Sequence, residues 1–235
     1  MGAIFRREFR SYFRSIVGFL FVACCVLCFG IFSFDYNFFN QSSSIAYSLS
    51  NMLPVVALLI PIVSVNSILG EYKSGSYRLL YSLPLSSSQI FFGKYFAMIS
   101  LMAIPTAIMA LLPFVLNFFG KVNFVASFGA LLAFFLFGTA FISINLFISA
   151  ISGSTVSCAL VSYIVAVLLY VVNLVTALIK IEWLDDILSR ATLFGAFDKF
   201  VDNVFDLKAI IYYLSVTVIF ALLSYRTIDK KQKSM

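Results

Sequence analysis

Six long apolar runs, near 16–34, 45–69, 95–118, 124–151, 155–179 and 209–225, divide the chain, and shorter polar stretches separate them. Each is long enough to carry a helix across a hydrocarbon core of about 30 Å, which takes about 20 apolar residues. None alternates apolar and polar positions with a period of two, the pattern of a barrel strand, so the runs predict helices. The expected fold is an all-α polytopic membrane protein with six transmembrane helices. Six spans in a single domain over residues 1–235 leave no room for a soluble catalytic unit.

The polar stretch between the second and third runs has a pattern of its own. Residues 71–94 read EYKSGSYRLLYSLPLSSSQIFFGK. Gly70 and Gly75 bracket a predicted break. Ser76 is placed to cap a short helix over Tyr77–Leu83, which Pro84 ends by disfavouring helical geometry at the residue before it. Ser86, Ser87, Ser88 and Gln89 have capping-box spacing, in which Ser86 accepts from the Gln89 backbone N–H while the glutamine side chain reaches back. A linker needs neither stop nor cap, so this stretch predicts a small amphipathic helix held at a fixed angle just outside the bilayer.

Two other stretches are patterned. At the N-terminus, Phe5, Phe9, Tyr12 and Phe13 recur at helical spacing among Arg6, Arg7, Arg10 and Arg14. This predicts a helix with one aromatic face and the rest basic, lying in the headgroup plane with its rings in the acyl boundary. The apolar run that follows is too long for a signal-peptide core and lacks a small-residue cleavage site, and Phe21-Val22-Ala23-Cys24 fits a lipoprotein box poorly, so residues 1–15 are expected to be retained. Between the fifth and sixth runs, within 180–207, Ile181, Leu184, Ile187 and Leu188 recur at helical spacing beside Trp183, with acids between them. They predict one or two amphipathic helices lying at or dipping into the interface.

Composition agrees: 62% of residues are hydrophobic and 11% charged, and the mean hydropathy is +1.04, whereas about a quarter of a soluble globule is charged. Lysine and arginine set the orientation. With the N-terminus inside, Arg6, Arg7, Arg10, Arg14, Lys73, Arg78, Lys94, Arg226, Lys230, Lys231 and Lys233 are cytoplasmic, eleven of the sixteen basic residues. Seven of the ten acids fall outside, and both termini, including the tail 226–235, are expected in the cytoplasm. The net charge of +6 then follows from topology and contact with anionic headgroups, without nucleic acid.

The same residues exclude several chemistries. The chain has no histidine, which removes the usual zinc sets, histidine-dependent intramembrane proteolysis and histidine acid/base catalysis. Cys24, Cys25, Cys28 and Cys158 fall within apolar runs, where thiols behave as small hydrophobes. There is no G-x-x-x-x-G-K-[ST] phosphate loop, because Gly93-Lys94 is followed by Tyr95. No ionisable residue falls near a bilayer midplane, where an ion-coupled carrier would be expected to keep one. The spans carry neutral polar residues instead: Ser64 and Asn66 in the second, Ser143 and Asn145 in the fourth, Ser162, Tyr163, Asn173 and Thr176 in the fifth. These either tie helices together or line a substrate path, for which Asn66, Asn145, Asn173 and Thr176 are the candidates. Pro54 and Pro61 in the second run, with Pro105 and Pro113 in the third, are placed either to bend the helices flanking the polar loop or simply to shape packing.

The polar stretch resembles the first cytoplasmic loop of ABC-2 type transporter permeases, roughly E-x-x-x-G-T-x-x-x-L-L-x-x-P-x-x-x-x-x-I-x-x-G-K. The matching residues are Glu71, Gly75, Ser76 (for the usual threonine), Leu79 or Leu80, Pro84, Ile90, Gly93 and Lys94. The N-terminal helix is similar to the interfacial elbow helix of that family. The run Phe197-x-x-Phe200-x-x-Asn203-Val204-Phe205-Asp206, followed by Tyr212-Tyr213, resembles the stretch before the last span in its gliding-motility-type branch, with Asn203 replacing a glycine and Phe205 an isoleucine.

The resemblance implies that the short helix in 71–94 is a coupling helix docked on a separate cytoplasmic ATPase. Ser76, Tyr77, Arg78, Leu80, Tyr81 and Leu83 are then the expected contact residues, since aromatic and arginine side chains are favoured anchors. It further implies a second permease subunit, identical or related, and ATP with Mg bound on the ATPase, with no cofactor on this chain. Location in the bacterial cytoplasmic membrane and export of a lipidic, peptide or other amphipathic substrate follow from the same likeness, as does a helical element on the outer side that caps the transport path. The competing readings are a structural part of a motility or secretion assembly, a secondary carrier and, last, an intramembrane enzyme.

Overall fold

The computed structural model describes residues 2–40, 42–74, 87–179, 192–201 and 206–233. The regular structure among these residues is all helix. The elements are α1 (Gly2–Arg14), α2 (Ile16–Ser33), a π-helical turn (Phe34–Phe39), α3 (Ala46–Ser74), α4 (Ser87–Met109), α5 (Leu112–Leu116), α6 (Phe124–Ile151), α7 (Thr155–Ile179), α8 (Gly195–Val201) and α9 (Leu207–Lys233). Six segments among them are long and apolar enough to span a membrane, and the chain is a multi-pass membrane protein. An even number of crossings puts the start of α2 and the end of α9 on one side of the bilayer, called here the terminal side.

The central post is α6, whose span is 83% buried. It is apolar on every face, as a helix surrounded by others is, and Ala130, Ala133, Ala140 and Ser143 let neighbours approach closely. Its main partners are α9, α3 and α4. By contrast the span of α7 is 17% buried and that of α9 22%, leaving long apolar faces such as Val156, Leu160, Ile164 and Leu168 exposed.

Helix ends depart from the apolar runs in instructive ways. The predicted break at Gly70 does not occur: α3 continues to Ser74, since an interior glycine costs a helix only about 1 kcal/mol. Pro54, Pro61 and Pro105 all lie inside helices. Pro113 lies in the third span, as expected; the helix is interrupted there, α4 ending at Met109, and Pro113 sits in the first turn of α5, where its missing N–H would have no intrahelical partner anyway. The turn leaving α2 is pinned by Asn37, whose amide donates to the carbonyls of Ser42 (2.8 Å) and Ser44 (3.1 Å) while its oxygen accepts from the Ser48 hydroxyl at 3.0 Å.

The N-terminal stretch is helical, but its faces are partitioned differently from the expectation. Phe5, Phe9, Phe13 and the following Phe19 form a continuous row of rings 5.1–5.9 Å apart. Tyr12 is not in that row. It shares a second, buried face with Ile4 and Glu8, spaced i, i+4, i+8, and α1 packs chiefly on α4. Gly18 permits the sharp turn into α2, because a Cβ there would lie 2.4 Å from the Tyr12 carbonyl oxygen.

In the described part of the stretch before the last span, the aromatic residues pack inside the protein. Leu193, Phe194, Phe197 and Phe200 are buried, with Phe194 edge-on to Phe137 of α6 at 5.2 Å and the Tyr213 hydroxyl donating to the Leu193 carbonyl at 2.7 Å. Ile181, Trp183, Leu184, Ile187 and Leu188 lie outside the described residues.

Candidate functional site

Among the described residues, two polar features stand out at opposite ends of the bundle. On the terminal side, Glu8 from α1, Lys94 from α4 and the Ser67 carbonyl from α3 converge. The Lys94 ammonium donates to Ser67 O at 2.7 Å and stands 3.3 Å from Glu8 Oε1. Arg7 reaches the same carboxylate oxygen at 2.6 Å from the surface side. The Lys94 and Glu8 side chains are 4% and 10% exposed, so each charge depends on its partners to offset desolvation. Beside Lys94, a Cβ on Gly93 would lie 2.8 Å from Ile4 Cγ2 and 3.4 Å from the Phe5 backbone nitrogen. The Gly93-Lys94 pair thus has a physical division of labour: the glycine lets α1 approach and the lysine holds it.

This clasp grips both roots of the polar loop, because Ser67 lies near the end of α3 and Lys94 near the start of α4. The loop residues Gly75, Ser76, Tyr77, Arg78, Leu80, Tyr81, Leu83, Pro84 and Ser86 lie outside the described residues. So does the Glu71 side chain, although its backbone belongs to α3.

At the opposite end a cavity of about 200 Å³ lies between α3, α7 and α8, lined by Ser50, Asn51, Leu53, Pro54, Tyr170, Asn173, Leu174, Phe194 and Asp198. Of the four sequence candidates for a substrate path, Asn173 lines it. Asn145 does not: it is buried in α6, where its amide donates to Phe141 O at 2.9 Å and its oxygen has no partner among the described residues. Asn66 and Thr176 fall on α3 and α7, and their side chains are outside the described set. Ser143 ties helices, its hydroxyl meeting that of Tyr95 on α4 at 3.1 Å.

A family model for ABC-2 family transporter proteins matches residues 3–231. The chain belongs to the ABC-2 transporter family. As an ABC-2 permease it is the membrane component of its transporter, and the family match takes in both the clasp and the cavity. No curated protein matches the chain at a significant level. Of the residues singled out from sequence, Gly93 and Lys94 lie at the clasp and Asn173 lines the cavity; Glu8, Asn51 and Asp198, which lie beside them, were not singled out. Glu8 did carry a signal, as the only acid among four arginines and in register with Ile4 and Tyr12.

Proposed function

We propose that this chain is the permease subunit of an ABC exporter, with the terminal side in the cytoplasm of a bacterium and the loop 71–94 carrying, over Tyr77–Leu83, the coupling helix that docks on a separate ATPase. The observation that carries the reading is the clasp: a loop whose two roots are locked to each other and to α1 transmits a push instead of absorbing it. Ser76, Tyr77, Arg78, Leu80, Tyr81 and Leu83 supply the contact, while Gly75 and Pro84 bound the helix. ATP and Mg belong to the ATPase. Two permease subunits, identical or related, work together, and the substrate is a lipid, peptide or other amphiphile. The aromatic run around Phe197 and Phe200 supports placing the chain in the gliding-motility-type branch.

The test is co-purification from detergent-solubilised host membranes. Wild type is expected to bring down an ATPase with measurable turnover, and Arg78→Glu/Leu80→Asp is expected to lose it. Absence of any ATPase from the wild-type preparation would favour a structural role in a motility or secretion assembly.

A further inference from the structure

We infer that the corner between α1 and α2 is a seat for an anionic phospholipid of the terminal-side leaflet, its phosphate on Arg10 and Arg14 and its chains along the outward face of α2, and that the Glu8–Lys94 clasp sets this seat by fixing α1. Lipid binding here needs only a membrane, and holds whether or not an ATPase docks on the loop 71–94.

Three rows run along α1. Ile4, Glu8 and Tyr12 are buried. Phe5, Phe9 and Phe13 are half-buried, and Arg6, Arg10 and Arg14, each one position after a ring, are exposed. One residue turns a helix by about 100°, so the guanidinium row lies about 100° round from the rings, and its members stand about 6 Å apart along the axis. Glu8 is the one acid in α1, and it sits on the buried face. No acid pairs with Arg6, Arg10 or Arg14 among the described residues. A row of guanidinium groups without a counter-charge is complementary to phosphate, which arginine binds through paired N–H donors.

The ring row supplies the apolar half of the seat. It passes from α1 into α2, Phe13 meeting Phe19 edge-on at 5.2 Å. On α2 the outward face continues through Leu20, Leu27 and Ile31, each more than half exposed. Arg14 stands two residues before Ile16, where the span begins, so its charge lies at the edge of the hydrocarbon layer. A molecule with a negative head and long apolar tails matches this order of surfaces, whereas inorganic phosphate matches only the arginines. The rows keep their places because the buried Lys94 holds Glu8 at 3.3 Å and because Gly93 lets Ile4 come close. Released from the clasp, α1 no longer holds arginines and rings at one corner.

The purified permease in a neutral detergent is titrated with phosphatidylglycerol or with phosphatidylcholine of the same chains, and bound lipids are counted by native mass spectrometry. A saturable phosphatidylglycerol adduct is expected, with weaker binding of phosphatidylcholine, and excess inorganic phosphate is expected to leave the adduct in place. Each arginine near an anionic surface contributes about fivefold, so Arg10→Gln/Arg14→Gln should weaken phosphatidylglycerol binding roughly 25-fold. Glu8→Leu separates a positioned seat from a merely basic surface. It makes the protein more positive, so charge alone predicts equal or tighter binding, whereas a seat set by the clasp predicts weaker binding. If Glu8→Leu fails to fold, judged by its melting temperature, Gly93→Ala decides, since its methyl pushes Ile4 away without a change of charge. Equal retention of the two lipids, displacement by inorganic phosphate, wild-type affinity in the double arginine variant, or undiminished affinity in the clasp variant overturns the inference.

Discussion

Lys94 and Glu8 occupy places where either charge alone would be costly, and each is tolerated because the other is there. Removing one partner of a buried pair typically costs about 3–5 kcal/mol, whereas replacing both with apolar residues of similar volume is often close to neutral. Lys94→Met and Glu8→Leu are therefore expected to lower the melting temperature of the detergent-solubilised protein markedly. The double variant should lie well above the sum of the two losses. Simple additivity across the four proteins would show that the residues do not act as a pair. Only half of this arrangement was legible beforehand: Gly93 and Lys94 stand in a recognisable loop pattern, but Glu8 finds its partner 86 residues away. A local pattern of charges carries no information about such a meeting. The same holds for Asn51 and Asp198, which are ordinary polar residues until three helices bring them to one cavity.

At the level of helices, run length predicted the spans because the hydrocarbon thickness sets a minimum that few other folds satisfy. It did not predict where helices stop. Backbone hydrogen bonding continues past the last apolar residue, so α3 reaches Ser74 and α9 reaches Lys233. Nor did it foresee that Phe194, Phe197 and Phe200 pack inside the protein, because ring spacing alone does not say what a helix face packs against. Pro61 in α3 and Pro105 in α4 sit on the two helices that the clasp joins, each removing one backbone bond. If they let loop motion bend those helices, Pro61→Ala/Pro105→Ala is expected to impair transport while ATPase co-purification stays at the wild-type level. Full transport by the double variant would leave the prolines with a packing role alone.

For the molecule as a whole, the uneven burial of its spans is the main organising fact. One post, α6, is enclosed, while α2, α7 and α9 turn broad apolar faces outward. The proposed orientation is testable on two exposed positions, Lys121 between α5 and α6 and Ser154 between α6 and α7. Lys121→Cys is expected to react with a membrane-impermeant maleimide in intact cells, and Ser154→Cys only after lysis. The reverse labelling would invert the topology and with it the cytoplasmic placement of the loop. The four native cysteines form little background, being buried or half-buried within spans.

The clasp also bears on how the protein is made. Chains emerge from the ribosome N-terminus first, so Glu8 is synthesised long before Lys94 exists, with two spans between them. Until the third span is inserted, α1 has a carboxylate on its inner face and no ammonium to meet it, and water at the membrane surface is the better environment for it. The clasp therefore cannot close until the third span has brought Lys94 to α1.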